Sequence, residues 1–392
     1  MYKKIFLLLT FIFQSFNATA SFSQAISFDP FKALIGISEQ QFFKTYGFSD
    51  AGKYFLQKNL KSRQGTFYLH KVAPFRAQPD RYPFPFVFSV IEGRTNPTGT
   101  SFQQYLDVAA LQAHPDNNGA VFQVASNLDA LEANGSKNIR IYQYIPIKTQ
   151  GEICVLSAMP GIIDRMYLQP SVNLLKDFNW NGPVPPVEGY FPYYSGMHSH
   201  FKNMTYSDIL EAASTVCVGV QKDVVVTSGL RDFSSHSFKA VPVKRTKQNI
   251  SKGINQRITQ VLTAALDPYN NRDLQHTKGF ENLARTLLHA AYKGTLDVAY
   301  DLKAKKLFLT LVGGGVFENK FTWIAQAIDA ACGQFRHVTD APLEITLIVY
   351  HIPPHIKETS DWKNAESIFK NLVKGSKGTW NRYSNGTPAE GR

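Results

Sequence analysis

The chain has 392 residues, with 42 Lys and Arg against 30 Asp and Glu, a formal charge of +12 and 44% hydrophobic residues. That composition supplies the core of one large or two medium domains and excludes a disordered, collagen-like, coiled-coil or disulfide-stapled chain. The positive charge favours acidic partners such as phosphates, nucleic acid or anionic membranes without naming one.

At the N-terminus Lys3 and Lys4 precede an apolar run from Ile5 to Phe13 and the small-residue site Ala18-Thr19-Ala20. This is the layout of a signal peptide over residues 1–20, too short to span a bilayer, so the expectation is export with no membrane anchor after cleavage. The chain is then secreted or periplasmic. Cys154, Cys217 and Cys332 are widely spaced and contain no CxxC pair.

Residues 21–119 are rich in Phe, Tyr, Pro and Gln, and short runs at 66–72 and 84–92 predict strands in an N-terminal extension packed on the core. The main domain is expected over 120–374. It begins with the apolar run Val121 to Val124 and a strand-like run at 152–157, and it carries an insertion at about 169–247, where a Pro- and Gly-rich excursion over 179–194 is followed by strands at 215–220 and 224–228. Ile254, Ile258, Val261, Leu262 and Ala265 have helical spacing, as do Phe280 to Ala291, Trp323 to Ala331 and Trp362 to Leu372. Strands at 306–312 and 343–350 alternate with these helices, which predicts a mostly parallel sheet covered on both faces. The Gly-, Ser-, Asn- and Lys-rich tail over 375–392 is predicted to be disordered.

Three strand-end loops are placed to converge on one cleft. In Leu311-Val312-Gly313-Gly314-Gly315-Val316-Phe317-Glu318-Asn319 a strand stops at three glycines before a helix. Without Cβ atoms, the backbone N–H groups there can approach a diphosphate; the same glycines also suit a plain tight turn. Val124-Ala125-Ser126-Asn127 and the loop through Pro160, Gly161, Ile162, Asp164, Arg165 and Tyr167 also follow strands. Arg165 is either a phosphate contact or a surface charge. There is no GxxxxGK[ST], HExxH or GxSxG.

Together with the segment Leu283 to Leu296, these loops resemble the macrodomain-like superfamily, in particular a divergent branch of secreted bacterial effectors of the MavL type. The resemblance spans about residues 120–350. It implies a three-layer α/β/α macrodomain-like fold with a mixed sheet that binds ADP-ribose, and, in some members, hydrolysis that removes ADP-ribose from a protein or other acceptor. Carried over by position, it puts Gly313, Gly314, Gly315, Val316 and Phe317 around the diphosphate and distal ribose, with Asn319 closing that loop. It puts Asn127 at the distal ribose and Gly161 and Ile162 in a second phosphate-facing loop. A secreted branch further implies action on targets in a host cell.

Hydrolysis at an anomeric carbon passes through a cationic state, so a carboxylate must hold water or move a proton. Asp129 and Glu132 follow the Asn127 loop. Asp267, Asp273 and Glu281 flank the polar stretch between two predicted helices, and this second cluster is the favoured catalytic set. The expected chemistry calls for no cofactor and no metal; Met197-His198-Ser199-His200 reads as a solvated loop pair. The basic runs lack the interleaved aromatics of a nucleic-acid surface. Two other readings use the same residues: a non-catalytic ADP-ribose reader, and an interaction protein docking an acidic macromolecule.

Overall fold

The computed structural model describes residues 29–47, 49–60, 63–76, 85–93, 108–132, 141, 157–169, 172–178, 195–226, 228–231, 240–242, 256–267, 276–315, 317–335, 342–349, 352–384 and 387–388. Asp29 accepts from the N–H groups of Phe31 and Lys32 and caps α1 (Pro30–Ile35), while Ser38 caps α2 (Glu39–Thr45). Then come α3 (Asp50–Leu60), β1 (Thr66–Lys71), β2 (Phe86–Gly93), α4 (Val108–Ala113) and β3 (Val121–Ala125). Helices α5 (Ser195–Lys202) and α6 (Tyr206–Ala213) lead into β4 (Cys217–Val225), β5 (Ser228–Arg231), β6 (Ala240–Pro242) and β7 (Arg257–Thr263). The rest is α7 (Lys278–Asp301), β8 (Lys306–Thr310), α8 (Phe321–Gly333), β9 (Leu343–Val349), α9 (Pro354–Lys357), α10 (Ser360–Gly375), β10 (Trp380–Ser384) and β11 (Thr387–Pro388).

Among the described residues nine strands make one mixed sheet in the order β1-β4-β7-β3-β8-β9-β2-β10-β11, with β5 and β6 paired separately. From β7 across to β10 every neighbouring pair is parallel, and β1, β4 and β11 add antiparallel edges. Side chains alternate between faces as the pleat requires. Val121, Leu307, Leu309, Ile345 and Leu347 join the core under α7, α8 and α10. Phe122, Phe308 and Ile348 point the other way, toward Val108 and Ala113 of α4 and toward Ala158, with Phe122 and Phe308 stacked at 4.5 Å. The result is a three-layer α/β/α arrangement. Helices α1 to α3 form a further cluster, in which Phe31, Phe42 and Leu56 pack against Leu131, Met159 and Ile162. Burying each such side chain is worth about 1.5–3 kcal/mol.

Several elements differ from their sequence expectation. Ile258 to Thr263 form the strand β7 rather than a helix. This strand is central and its residues are buried on both faces, so its apolar positions carry no clean period of two, and a chance 3.6-residue spacing stands out. Where two strands were expected over 215–228, Cys217 to Val225 form one long strand, β4, whose register shifts between Gln221 and Val224, where Asp223 adopts φ +57°. Both β1 and β2, expected in an extension, belong to the core sheet, as does β4 from the expected insertion. Part of the tail expected to be disordered is ordered: Trp380 to Tyr383 run parallel to Val90 to Gly93, and the indole of Trp380 donates to Glu92. Backbone hydrogen bonds hold that strand in place, which composition does not reveal. Residues 1–20 and 179–194 lie outside the described residues.

Candidate active site

A cavity of about 690 Å³ opens beyond the carboxyl ends of β3, β7, β8 and β9, where ligands of open α/β sheets bind. Its floor is the loop after β8. The hydroxyl of Tyr292, on the long helix α7, donates to the carbonyl of Thr310 at 2.7 Å and accepts from the N–H of Val312 at 3.0 Å. From β3, Gln123 accepts from the N–H of Thr310 at 3.2 Å, and its own amide group points at Ala291 and Thr295 of α7. Full burial holds the Tyr292 hydroxyl above its usual range, so it remains a neutral hydrogen-bonding group. The end of β8 is therefore pinned from two sides before the glycines begin.

The three glycines do different work. Gly313 has φ +74°, and a Cβ there would sit 2.6 Å from Nδ2 of Asn319 and 2.7 Å from Cβ of Ala265, so conformation and space both demand glycine. Gly314 packs under Ile324 and Phe321, 3.0 and 3.1 Å from where its Cβ would be. A Cβ on Gly315 would meet nothing within 4 Å. Gly313 and Gly315 both line the cavity, and among the described residues neither backbone N–H has a protein acceptor. Glu318 follows with φ +56°, a left-handed position that glycine usually occupies. Asn319 closes the loop by donating from Nδ2 to the carbonyl of Leu266 at 2.8 Å.

Opposite lies the loop after β3. The N–H of Asn127 donates to the carbonyl of Leu131 at 2.9 Å, and the N–H of Ala130 donates back to Asn127 at 3.0 Å. Asp129 accepts from the N–H of Leu131 at 3.0 Å. This tight circuit presents Asn127 and Glu132 to the cavity. Glu132 is buried, and desolvation, then the nearby Asp129, push its carboxyl up to about 8. At neutral pH it is protonated and able to donate. Ser157 lines the same wall, its carbonyl held by the side-chain amides of Gln112 and Gln260 at 2.9 and 2.6 Å.

The expected site residues divide accordingly. Asn127, Gly313, Gly314, Gly315, Phe317 and Asn319 come together on the cavity. Gly161, Ile162 and Arg165 stand elsewhere. Gly161 has φ +75° and backs onto Gln221, Ile162 is in the core beneath α1 to α3, and Arg165 is buried with its guanidinium donating to the carbonyls of Ala130, Pro160 and Ala158. Arg165 thus stitches two loops together rather than facing solvent. Asp267 is buried but does not line the cavity, and Glu281 pairs with Lys278 and Arg285 on the first turns of α7. Asp273 and Val316 lie outside the described residues. The His198 to His200 segment, expected in a loop, falls on the helix α5.

No family model matches the chain, and neither does any curated protein. Solved structures do. A poly(ADP-ribose) glycohydrolase from Thermomonospora curvata bound to the inhibitor ADP-HPD aligns with TM-score 0.36 and 12% identity, over 72% of this chain and 78% of that one. The Deinococcus radiodurans poly(ADP-ribose) glycohydrolase in complex with ADP-ribose aligns with TM-score 0.36 and 12% identity, over 80% and 96% of the two chains. Its apo form aligns with TM-score 0.33 and 12% identity, over 90% and 96%. Similarity this low assigns neither activity nor ligand.

Of the two candidate carboxylate groups in the sequence, the earlier one reaches the cavity through Glu132, and of the favoured later set neither Asp267 nor Glu281 lines it. A usable signal was present: Glu132 follows Leu128, Ala130 and Leu131 directly after a strand end, whereas Glu281 has Lys278 and Arg285 one helical turn away. Asp361 also lines the cavity, and no local motif marks it.

Proposed function

We propose that this chain binds ADP-ribose in the cavity and hydrolyses the bond between its distal ribose and a modified protein or other acceptor, as a macrodomain-like enzyme. One observation carries the reading: a single cavity holds both the open amides of Gly313 and Gly315 and the buried Glu132, whose carboxyl desolvation pushes up. The amides suit a diphosphate, which they can reach without Cβ interference. The carboxyl suits departure of the acceptor group, which must gain a proton as the ribose becomes cationic. In the step itself Glu132 gives its proton to the leaving atom, the anomeric C–X bond breaks, and water adds to the anomeric carbon. The resulting carboxylate of Glu132 then recovers a proton from that water. Asn127 has the position to hold a ribose hydroxyl. The secreted-effector branch and delivery to a host cell belong to the same reading, supported by the signal-peptide layout of residues 1–20 and the loop motifs.

The test is calorimetric titration of the chain with ADP-ribose, with AMP as control and Gly315→Val alongside, followed by hydrolysis of ADP-ribosylated protein. Saturable binding lost in Gly315→Val, together with turnover lost in Glu132→Gln, is expected. An absence of ADP-ribose binding at millimolar ligand overturns the reading. Binding without turnover leaves a reader.

A further inference from the structure

The amino end of α8 faces the cavity through Lys320 and Phe321, and a carboxylate of the protein already occupies it. Asp361, in the first turn of α10, accepts from the N–H of Phe321 through Oδ2 at 2.8 Å and from the N–H of Thr322 through Oδ1 at 3.0 Å. Its main-chain carbonyl accepts from the hydroxyl of Thr322 at 3.0 Å. The residue before the helix, Lys320, makes no side-chain cap, and its ammonium lies over the ring of Trp323 at 4.7 Å. Among the described residues no cationic side chain pairs with Asp361. A fixed carboxylate therefore stands in the cavity wall, on the side of the glycine loop, with its two oxygens turned to backbone amides.

We propose that Asp361 determines which phosphate esters the cavity accepts. By occupying the amides of Phe321 and Thr322, it leaves the incoming phosphates to Gly313 and Gly315, and by its charge it turns away a doubly charged terminal phosphate. A diphosphate bridging two sugars carries one charge on each phosphorus. A terminal monoester has a second pKa of about 6 and carries nearly two charges on one phosphorus at neutral pH. Repulsion from a fixed neighbouring carboxylate roughly doubles between them, and in a partly enclosed site this is enough for about three- to fivefold discrimination. The selected ligands are ADP-ribose and its conjugates, so the inference rests on the proposed function; the rejected ones are AMP and ADP.

The experiment titrates the wild-type chain, Asp361→Asn and Asp361→Ser with ADP-ribose, AMP and inorganic pyrophosphate, and records thermal unfolding of each. Asp361→Asn keeps the shape of the side chain, and Asp361→Ser keeps one short acceptor at the helix end. The expected result is a gain of about tenfold for AMP and pyrophosphate in both variants and a gain of only two- to threefold for ADP-ribose. An altered ratio is a readout that mere loss of a helix cap does not produce. Equal changes for all three ligands, in a variant that unfolds cooperatively, overturn the inference while leaving ADP-ribose binding intact. If wild type ignores ADP-ribose but the variants acquire AMP or pyrophosphate binding, the proposed function falls and the role of Asp361 stands. If neither wild type nor the variants bind any of the three, both are overturned.

Discussion

Asn319 holds the carbonyl of Gly313 twice, through its backbone N–H at 3.0 Å and through its side-chain Nδ2 at 3.2 Å. The ends of the glycine loop are thus tied together by a residue that lies beyond the loop. The Nδ2 group also reaches the carbonyl of Leu266, so the strand end after β7 is bound into the same knot. This leaves the middle of the loop, Gly315, as the point where bulk can be added without disturbing the knot.

Glycine substitutions therefore separate scaffold from site. Gly313→Ala is expected to cost about 2 kcal/mol or more, because alanine is strained at φ +74° and its Cβ meets Asn319 and Ala265. Gly315→Val is expected to leave the unfolding midpoint within about 0.5 kcal/mol of wild type and to abolish ligand binding. Urea denaturation and calorimetry, run on both variants, check the pair.

Glu132→Gln is expected to lower turnover by about a hundredfold to ten-thousandfold with ADP-ribose affinity retained. The pH dependence follows from the raised carboxyl. Native Glu132 keeps its proton between the ordinary value of 4.5 and about 8, whereas the unfolded chain has lost it, so this group's contribution to stability falls as pH rises through that window. Glu132→Gln removes the loss, and its gain in unfolding midpoint over wild type should be larger at pH 8 than at pH 5. Turnover in wild type should decline as pH rises through about 8.

The hydroxyl of Tyr292 bridges Thr310 and Val312 in the buried layer beneath the loop. Tyr292→Phe leaves the N–H of Val312 with the carbonyl of Thr310 alone, at 3.0 Å, and should cost about 0.5–1.5 kcal/mol. Because this bridge sets the path of the chain into Gly313, ligand affinity should fall as well; thermal unfolding and calorimetry report the two effects.

His289, buried on α7 between Phe75 and Tyr206 and near Arg285, is held neutral, its pKa lowered to about 3 by desolvation first and by Arg285 second. Here the sign is opposite to that of Glu132. The unfolded chain takes up a proton below the ordinary value of 6.5 and the native protein does not until about 3, so stability is lost as pH falls through that range. His289→Gln should flatten the dependence of unfolding midpoint on pH between 6.5 and 4.

The helices α7, α8 and α10 were legible because each pairs one strongly apolar stripe with a partly polar opposite side. Helices α1 and α2 were missed although their start signals are in the sequence, Asp29-Pro30 for one and Ser38 three residues before Gln41 for the other. At the site, the glycine loop could be found because strand, glycines and helix are contiguous. The contributions of Glu132 and Asp361 come from distant parts of the chain and depend on which strand ends adjoin in the sheet, information that no local window holds.

Strand β2 is inserted between β9 and β10, so residues 86–93 are flanked on both sides by chain from beyond residue 342. Such pairing closes loops of some 250 residues before it returns any favourable contact, which places this protein among slow, late-assembling folds. During synthesis β2 has no neighbours until nearly the whole chain has emerged, and its apolar residues Phe86, Phe88 and Val90 wait uncovered. Until then those side chains are an aggregation hazard, since exposed apolar surface and an unpaired strand invite association.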